Sequence, residues 1–222
     1  MDENKMKEIF TKIMKLIDRP IKLSKKYTKE ELQERIKLFK KEMKRSEDDE
    51  TKYTNYEICS KCKFCCCKQW ACEIVPEDLK IVNKKSIIRL LKTGLVNIDR
   101  YEGDEDDERK IYFLRMRNIN TNILDYTWGD ECLLYNIFGK CPIPFNYRPI
   151  IARRIIPKED GLCSIDDLNM KSNSKVYAKD QWDKEKYQKI LLDIIHNELD
   201  KLEKEIWNNE WRKRNVFRDT ND

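Results

Sequence analysis

Clustered cysteines constrain this chain more than any other feature of its sequence. Two residues between cysteines let the backbone turn so that both thiolates reach one ion, while amides inside the turn stabilise the sulfur charge. Cysteines that are buried merely as small apolar side chains are scattered along a chain, so grouped cysteines predict a metal or cluster site. Five of the nine cysteines lie within nine residues, at Cys59, Cys62, Cys65, Cys66 and Cys67.

The composition narrows the chemistry of such a site. The chain has 222 residues, 46 Lys and Arg against 41 Asp and Glu, and a single histidine, so a metal site must be built mainly from sulfur. No apolar run approaches the roughly 18 residues of a spanning helix, and Met1–Lys5 lacks the pattern of a secretory signal. We therefore expect a cytoplasmic protein without membrane contact, whose cysteines are ligands or reactive thiols rather than disulfides.

Hydrophobic spacing predicts an α+β fold that is predominantly α-helical. Residues 1–46 contain two amphipathic helices, the second of which begins at a capping box, Thr28–Glu31. A further helix begins at Pro76, breaks near Asn83 and ends at Gly94. A continuous apolar stripe predicts one long helix from about 178 to 214.

The strands are expected in the centre of the chain. Ile111–Arg117 is the best strand candidate, and Cys132–Tyr135 is the expected partner in a small β-hairpin. The acidic, polar residues Ser46–Thr51 predict a linker. The predicted architecture is a compact Cys-rich metal-binding centre, flanked by an N-terminal helical pair and a long C-terminal helix.

The chain therefore divides into three predicted parts. They are an N-terminal helical arm at 1–46, a cysteine-cluster metal-binding domain at 56–165, and a C-terminal helix at 178–214 that packs on the rest. The apolar stripes of the two helical parts either pack together or bind a protein partner or a second copy. Residues 1–45 are basic, but without interleaved stacking aromatics we do not expect nucleic acid as a partner.

Two metal chemistries fit the cysteine pattern. A structural zinc takes four ligands in a tetrahedron, so two further thiolates would complete a pair at Cys59 and Cys62. Cys59, Cys62 and Cys65 also have the spacing of ligands to an iron–sulfur cluster such as [4Fe-4S], although a simple ferredoxin has a fourth cysteine before proline. A thiol redox pair at Cys59 and Cys62 is a third hypothesis, but no thioredoxin-like βαβ setting accompanies it.

The candidate ligands come from both halves of the chain. Cysteines outside the cluster lie beside turn residues and would close the site from the second half, so that zinc or iron binding contributes to folding. Arg148 and Arg153 would donate to the thiolates and offset their charge. The predicted metal ligands are Cys59, Cys62, Cys65, Cys66, Cys132, Cys141 and Cys163.

The order of these motifs carries a resemblance to a known family. Cys59–Cys66 followed by Val75–Leu79 resembles the opening of the YkgJ-like cysteine-cluster proteins, which are described as zinc- or iron-chelating domains. The second half of that family has a C-x-F-L segment, a Gly-x-Cys turn and an Arg-Pro-x-x-Cys-Arg stretch. Their places are taken here by Cys132–Tyr135, Gly139–Cys141 and Arg148–Arg153. The resemblance covers about 56–165 and implies a metal-chelating function.

The chain departs from the family at one ligand position. Ala152 stands where the family has a cysteine, so one expected thiolate is missing. Cys67 and Cys72 are additional cysteines, and either one would fill the vacant position. The alternative is that this chain lacks a second metal site that the family has.

An enzyme is the alternative function. The Cys66–Trp70 segment resembles the cysteine-rich part of flagellin lysine methylases, in which a Cys-Cys pair precedes a Trp. That resemblance implies a metal- or cluster-dependent enzyme that modifies a peptide or protein side chain. The sequence has no Gly-rich phosphate loop, no Gly-x-Ser-x-Gly and no His-Glu-x-x-His to support a second catalytic site.

Overall fold

The computed structural model describes residues 27–53, 57–58, 67, 71–102, 110–119, 122–125, 131–156, 158, 164–165 and 178–206. This part of the chain is an α+β fold in which helices predominate. The helices are α1 (Lys29–Glu42), α2 (Glu50–Tyr53), α3 (Lys84–Lys92), α4 (Leu133–Phe138), α5 (Ile150–Arg153), α6 (Ala178–Trp182), α7 (Glu185–Asn197) and α8 (199–206). The strands are β1 (Glu73–Ile74), β2 (Val96–Tyr101), β3 (Ile111–Met116), β4 (Ile155–Ile156) and β5 (Ser164–Ile165).

Helix α1 begins at the predicted capping box. The Thr28 hydroxyl accepts the backbone N–H of Glu31 at 3.2 Å, and the Glu31 carboxylate accepts the N–H of Thr28 at 3.1 Å. The apolar positions Leu32, Ile36 and Phe39 are buried. The second predicted helix of the N-terminal arm is confirmed, whereas the first lies outside the described residues.

Strand β3 is the centre of a three-stranded antiparallel sheet with the order β1-β3-β2. The predicted strand at Ile111–Arg117 is therefore confirmed to within one residue, but its predicted partner is wrong. Strand β2, not Cys132–Tyr135, pairs with β3, from Val96 opposite Met116 to Tyr101 opposite Ile111.

Residues 133–138 form helix α4 instead of a strand. Leu133 and Leu134 are adjacent and both buried, a pattern that a helix against the core satisfies and a half-buried strand does not. Gly139 ends the helix with a φ of +69°, a left-handed conformation that glycine adopts without a steric cost.

The helix predicted between Pro76 and Gly94 is divided in two. Pro76–Asp78 is one turn of 3-10 helix, and α3 starts afresh after Asn83, whose side-chain oxygen accepts the N–H of Ser86 at 2.8 Å. The predicted break near Asn83 is therefore confirmed. Its cause is a new N-cap, because Asn satisfies a free amide of the first turn.

The predicted C-terminal helix is three helices, α6, α7 and α8, and its part from 207 to 214 lies outside the described residues. The chain leaves helical geometry after Trp182, whose side chain is fully buried and donates its indole N–H to the carbonyl of Ile74 at 2.8 Å. Gln188 in α7 bonds the backbone N–H and carbonyl of Tyr112 at 2.9 and 2.8 Å. Trp182 of α6 thus contacts β1, and Gln188 of α7 contacts β3.

Helix α3 packs against helices from both the N-terminal and the C-terminal parts of the described chain. Helices α1 and α7 each contact α3, and one apolar core includes residues from all three predicted parts. Two ion pairs, Lys84–Asp193 at 2.8 Å and Lys92–Glu205 at 2.9 Å, join α3 to the C-terminal helices. The apolar stripes of α1 and α7 are thus covered within this chain. None of the described helices is both long and apolar enough to cross a membrane.

A buried arginine lies on one face of the sheet. The guanidinium of Arg115 donates to Asp99 at 2.5 Å and to Asp125 at 3.0 Å. Arg115 is 3% exposed and Asp99 is 0% exposed, so neither charge is solvated. Loss of the guanidinium leaves an uncompensated buried carboxylate, which is far more costly than the loss of a surface pair.

We expect Arg115→Met to lower the free energy of unfolding by about 3–5 kcal/mol, because Asp99 then lacks its counter-charge. Arg89→Met is the matched control, since Arg89 is half-exposed and pairs with Glu42 at 2.7 Å; it should cost no more than about 1 kcal/mol. Urea unfolding monitored by circular dichroism measures both. Equal losses in the two variants would contradict the role of burial.

The same carboxyl group predicts a pH dependence. Burial raises the pKa of Asp99 to about 6, against the opposing effect of Arg115. Because folding raises this pKa, its contribution to stability is full below about pH 4 and is lost as the pH rises through about 6. The difference in unfolding free energy between the wild type and Asp99→Asn should therefore shrink from pH 4 to pH 7.

Asp193→Asn provides a control of opposite sign for that experiment. The Lys84 side chain holds the pKa of the exposed Asp193 below its usual value, so its contribution is present at neutral pH and lost on acidification. The wild-type advantage over Asp193→Asn should grow, slightly, as the pH rises. A growing difference for Asp99→Asn as well would show that its pKa is lowered, not raised.

Candidate metal centre

Four cysteines from three parts of the chain interact with one another. Cys72 interacts electrostatically with Cys67 and Cys141, and Cys132 interacts with Cys141. We call these four residues the thiol cluster. The backbone N–H of Cys132 donates to the carbonyl of Cys67 at 2.8 Å, which joins the end of the cysteine-rich segment to the second half of the chain.

Strand β3 positions Cys72. The N–H of Met116 donates to the Cys72 carbonyl at 2.7 Å, continuing the pairing in which Glu73 lies opposite Arg115. The Cys72 thiol donates to the carbonyl of Glu73 at 3.2 Å. The backbone of Cys72 is therefore fixed by the sheet, one residue before β1.

Backbone amides face the sulfurs of the other two central cysteines. Cys132 is the N-cap residue of α4, and the amides of Leu134 and Tyr135 act on its sulfur, as the amide of Ile143 acts on the sulfur of Cys141. Each of these amides lowers the pKa of the thiol it faces. Amides two or three residues after a cysteine are the donors expected around a metal-bound thiolate.

Burial nevertheless keeps the cluster protonated. It raises the pKa of Cys72 well above its usual value, with a further increase from the negative charges of Asp78 and Glu73. Burial likewise raises the pKa of Cys132 to about 11, and it raises the pKa of Cys141 despite the nearby Arg148. The neutral thiols of Cys72, Cys132 and Cys141 are poor nucleophiles, but a metal cation replaces their protons and supplies the missing positive charge.

The two predicted arginines differ in position. Arg148 lies beside the Cys141 sulfur and lowers the pKa of its thiol, as expected of a residue that offsets thiolate charge. The prediction for Arg153 is wrong: its guanidinium donates to Ser46, Asp48 and the carbonyl of Arg148. Ser46 and Asp48 belong to the predicted linker, which thereby packs against the end of α5.

The structure brings together only some of the predicted ligands. Cys132 and Cys141 are in the thiol cluster, together with Cys67 and Cys72, which the sequence offered only as substitutes for the cysteine missing at Ala152. The other predicted ligands, Cys59, Cys62, Cys65, Cys66 and Cys163, lie outside the described residues.

The described side chains do not form a complete metal site among themselves. Within the described ranges, no group of three or more Cys, His, Asp or Glu side chains is arranged to hold a metal ion. The donor chemistry of the thiol cluster suits zinc or an iron–sulfur cluster, since both take thiolate ligands. A closed ligand set would therefore need thiolates of the segment that ends at Cys67.

Comparison with known proteins finds no match to this chain. No family model matches the chain, and neither a curated protein nor a solved structure matches it significantly. The resemblance to YkgJ-like proteins accordingly stays a prediction from the motifs quoted above.

Asp78 connects the two sides of the thiol cluster. One carboxylate oxygen accepts the N–H of Val75 at 2.9 Å, three residues after Cys72, and the other accepts the N–H of Ile150 at 2.7 Å, at the start of α5. Asp78 is 3% exposed, so water does not replace these bonds. The side chain thus fixes the segment after Cys72 against the segment after Cys141.

Replacing Asp78 by alanine should lower the free energy of unfolding by about 2–4 kcal/mol, because two buried N–H groups lose their acceptor. Glu77→Ala is the matched control: Glu77 is exposed in the same turn, and its loss should change stability by no more than about 0.5 kcal/mol. Chemical denaturation of both variants measures the difference. A neutral Asp78→Ala variant would show that the two segments are held by other contacts.

Proposed function

We propose that this protein is a metal-binding protein whose thiolates hold zinc or an iron–sulfur cluster. The observation that carries the proposal is the thiol cluster, in which the end of the cysteine-rich segment meets Cys132 and Cys141 from the second half of the chain. In the proposed centre, Cys59, Cys62, Cys65 and Cys66 bind together with Cys132 and Cys141, and Cys163 is a further candidate.

Three features of the cluster support a metal in preference to inert thiols. Cys72, Cys132 and Cys141 are not joined in disulfides, although Cys141 influences the pKa of both other thiols. Amides face the sulfurs of Cys132 and Cys141, where they would stabilise thiolate charge. Arg148 adds a positive charge beside Cys141. Neutral buried thiols need none of this support, whereas a metal-bound thiolate uses all of it.

Free thiols are also consistent with the proposed cytoplasmic location, where glutathione and thioredoxin keep cysteines reduced. In this setting the metal would tie the two halves of the cysteine-rich region together. Metal binding would then contribute directly to folding, because the unfolded chain holds no preformed site.

Elemental analysis of protein purified without oxygen tests the proposal. We expect bound zinc, or iron with a matching amount of acid-labile sulfide and visible absorption by the cluster. Removal of the metal by a chelator should lower the melting temperature, since a ligand present at about 1,000 times its dissociation constant stabilises the folded state by about 4 kcal/mol. The proposal would be contradicted by protein that contains neither zinc nor iron and has the same melting temperature with and without the chelator.

Substitutions separate the ligands from merely buried residues. Cys132→Ser and Cys141→Ser should each lower the metal content at least tenfold at limiting metal concentration. Ile143→Val is the control: Ile143 is 2% exposed beside Cys141, and the substitution should cost about 0.5–1.5 kcal/mol of stability while leaving the metal content unchanged. An equal loss of metal in Ile143→Val would mean that general destabilisation explains the effect.

A further inference from the structure

A second polar site lies at the end of α5, where Arg153 does not serve the thiol cluster. A cavity of about 290 Å³ opens there between the loop after α1, the Pro76–Asp78 turn and the last residues of α5. All its lining residues except Ile150 are polar or charged. Such a lining suits a charged ligand and does not suit an apolar one.

Two adjacent guanidinium groups form the inner wall of the cavity. Arg153 is 7% exposed and donates to Ser46 and to the carboxylate of Asp48. Arg154 reaches the same carboxylate only at 3.5 Å, through Nη2. Asp48 therefore serves both arginines, and Arg153 has Asp78 as a second, more distant carboxylate at 3.9 Å.

The donors of Arg154 are not satisfied by the protein. Its Nε is buried and has no hydrogen-bond partner among the described residues. Nε and Nη2 form one edge of the guanidinium, and this edge is the fork that binds a carboxylate or a phosphate through two parallel hydrogen bonds. A buried N–H without an acceptor is costly, so this edge lacks an oxyanion partner.

Asp78, the second nearby carboxylate, is not an oxyanion partner for this edge of Arg154. Asp78 lies 3.9 Å from Arg153, and each of its oxygens already accepts a backbone N–H, from Val75 or from Ile150. Burial, and repulsion by the adjacent Arg154, lower the pKa of Arg153 to about 10. The lining as a whole has four cationic side chains (Lys44, Arg45, Arg153 and Arg154) and four carboxylates (Glu47, Asp48, Glu77 and Asp78), so the feature that lacks a partner is the Nε of Arg154 and not a net charge.

We propose that this cavity binds a small oxyanion, the carboxylate or phosphate group of a small molecule, on the Nε–Nη2 edge of Arg154. Ser46 and Arg153 provide further donors beside it. Because Nε has almost no exposed surface, the guanidinium of Arg154 turns toward the cavity as the ligand binds. This site uses no cysteine and does not depend on the proposed metal.

Titrations with inorganic phosphate and with succinate, each against chloride at constant ionic strength, test the site and distinguish the two oxyanions. The readout is the Arg Nε–H signals in NMR spectra of the arginine-labelled full chain. We expect a saturable shift of one signal by phosphate or by succinate, and this signal should be missing from the spectrum of Arg154→Gln. The anion that binds should also have at least tenfold weaker affinity for Arg154→Gln by calorimetry.

Arg89→Gln is the control for nonspecific attraction of anions, because Arg89 is half-exposed on α3 and already pairs with Glu42. Its affinity for the anion should equal that of the wild type. Absence of a saturable shift with both anions would overturn the proposal, and so would equal affinity in Arg154→Gln. If Arg154→Gln does not fold, Arg154→Lys replaces it: its ammonium lacks the two-donor edge, so binding should again weaken.

Discussion

Strand β3 is the constraint on which the rest of the structure depends. Its backbone pairs with β2 along one side and with Cys72–Ile74 along the other, so the cysteine-rich half is attached to the core through this strand. Arg115 on the same strand forms ion pairs with Asp99 of the neighbouring strand β2 and with Asp125. The helices then cover a sheet whose position is already fixed by backbone pairing and one buried charge.

Local signals predicted the elements well, and long-range pairing was the source of the errors. The capping box at Thr28 and the strand at Ile111–Arg117 depend on neighbours in sequence, and both are confirmed. The partner of β3 depends on residues outside the strand, and the expected hairpin through Cys132–Tyr135 was wrong. The prediction of one long C-terminal helix was wrong for the same reason, since Trp182 donates to the carbonyl of Ile74, more than 100 residues away.

The same difference between local signals and long-range contacts applies to the candidate metal centre. Spacing selected the cysteines of the C-x-x-C segment, and neighbouring turn residues selected Cys132 and Cys141, which the structure places in the thiol cluster. Spacing could not show that Cys72 joins them, because β3 rather than the local sequence sets its position. Spacing also could not distinguish Arg148 from Arg153, because both belong to one motif. Arg148 lies beside the sulfur of Cys141, whereas Arg153 lines the cavity at the end of α5.

The pairing of Gln188 with Tyr112 has a consequence for the behaviour of the protein at high concentration. Strand β1 is only two residues long, so it leaves the backbone of Tyr112 without a strand partner on that side. A free N–H and carbonyl at a sheet edge are a template onto which another chain adds a strand. The side-chain amide of Gln188 occupies both groups, so a helix closes the edge against intermolecular β-pairing.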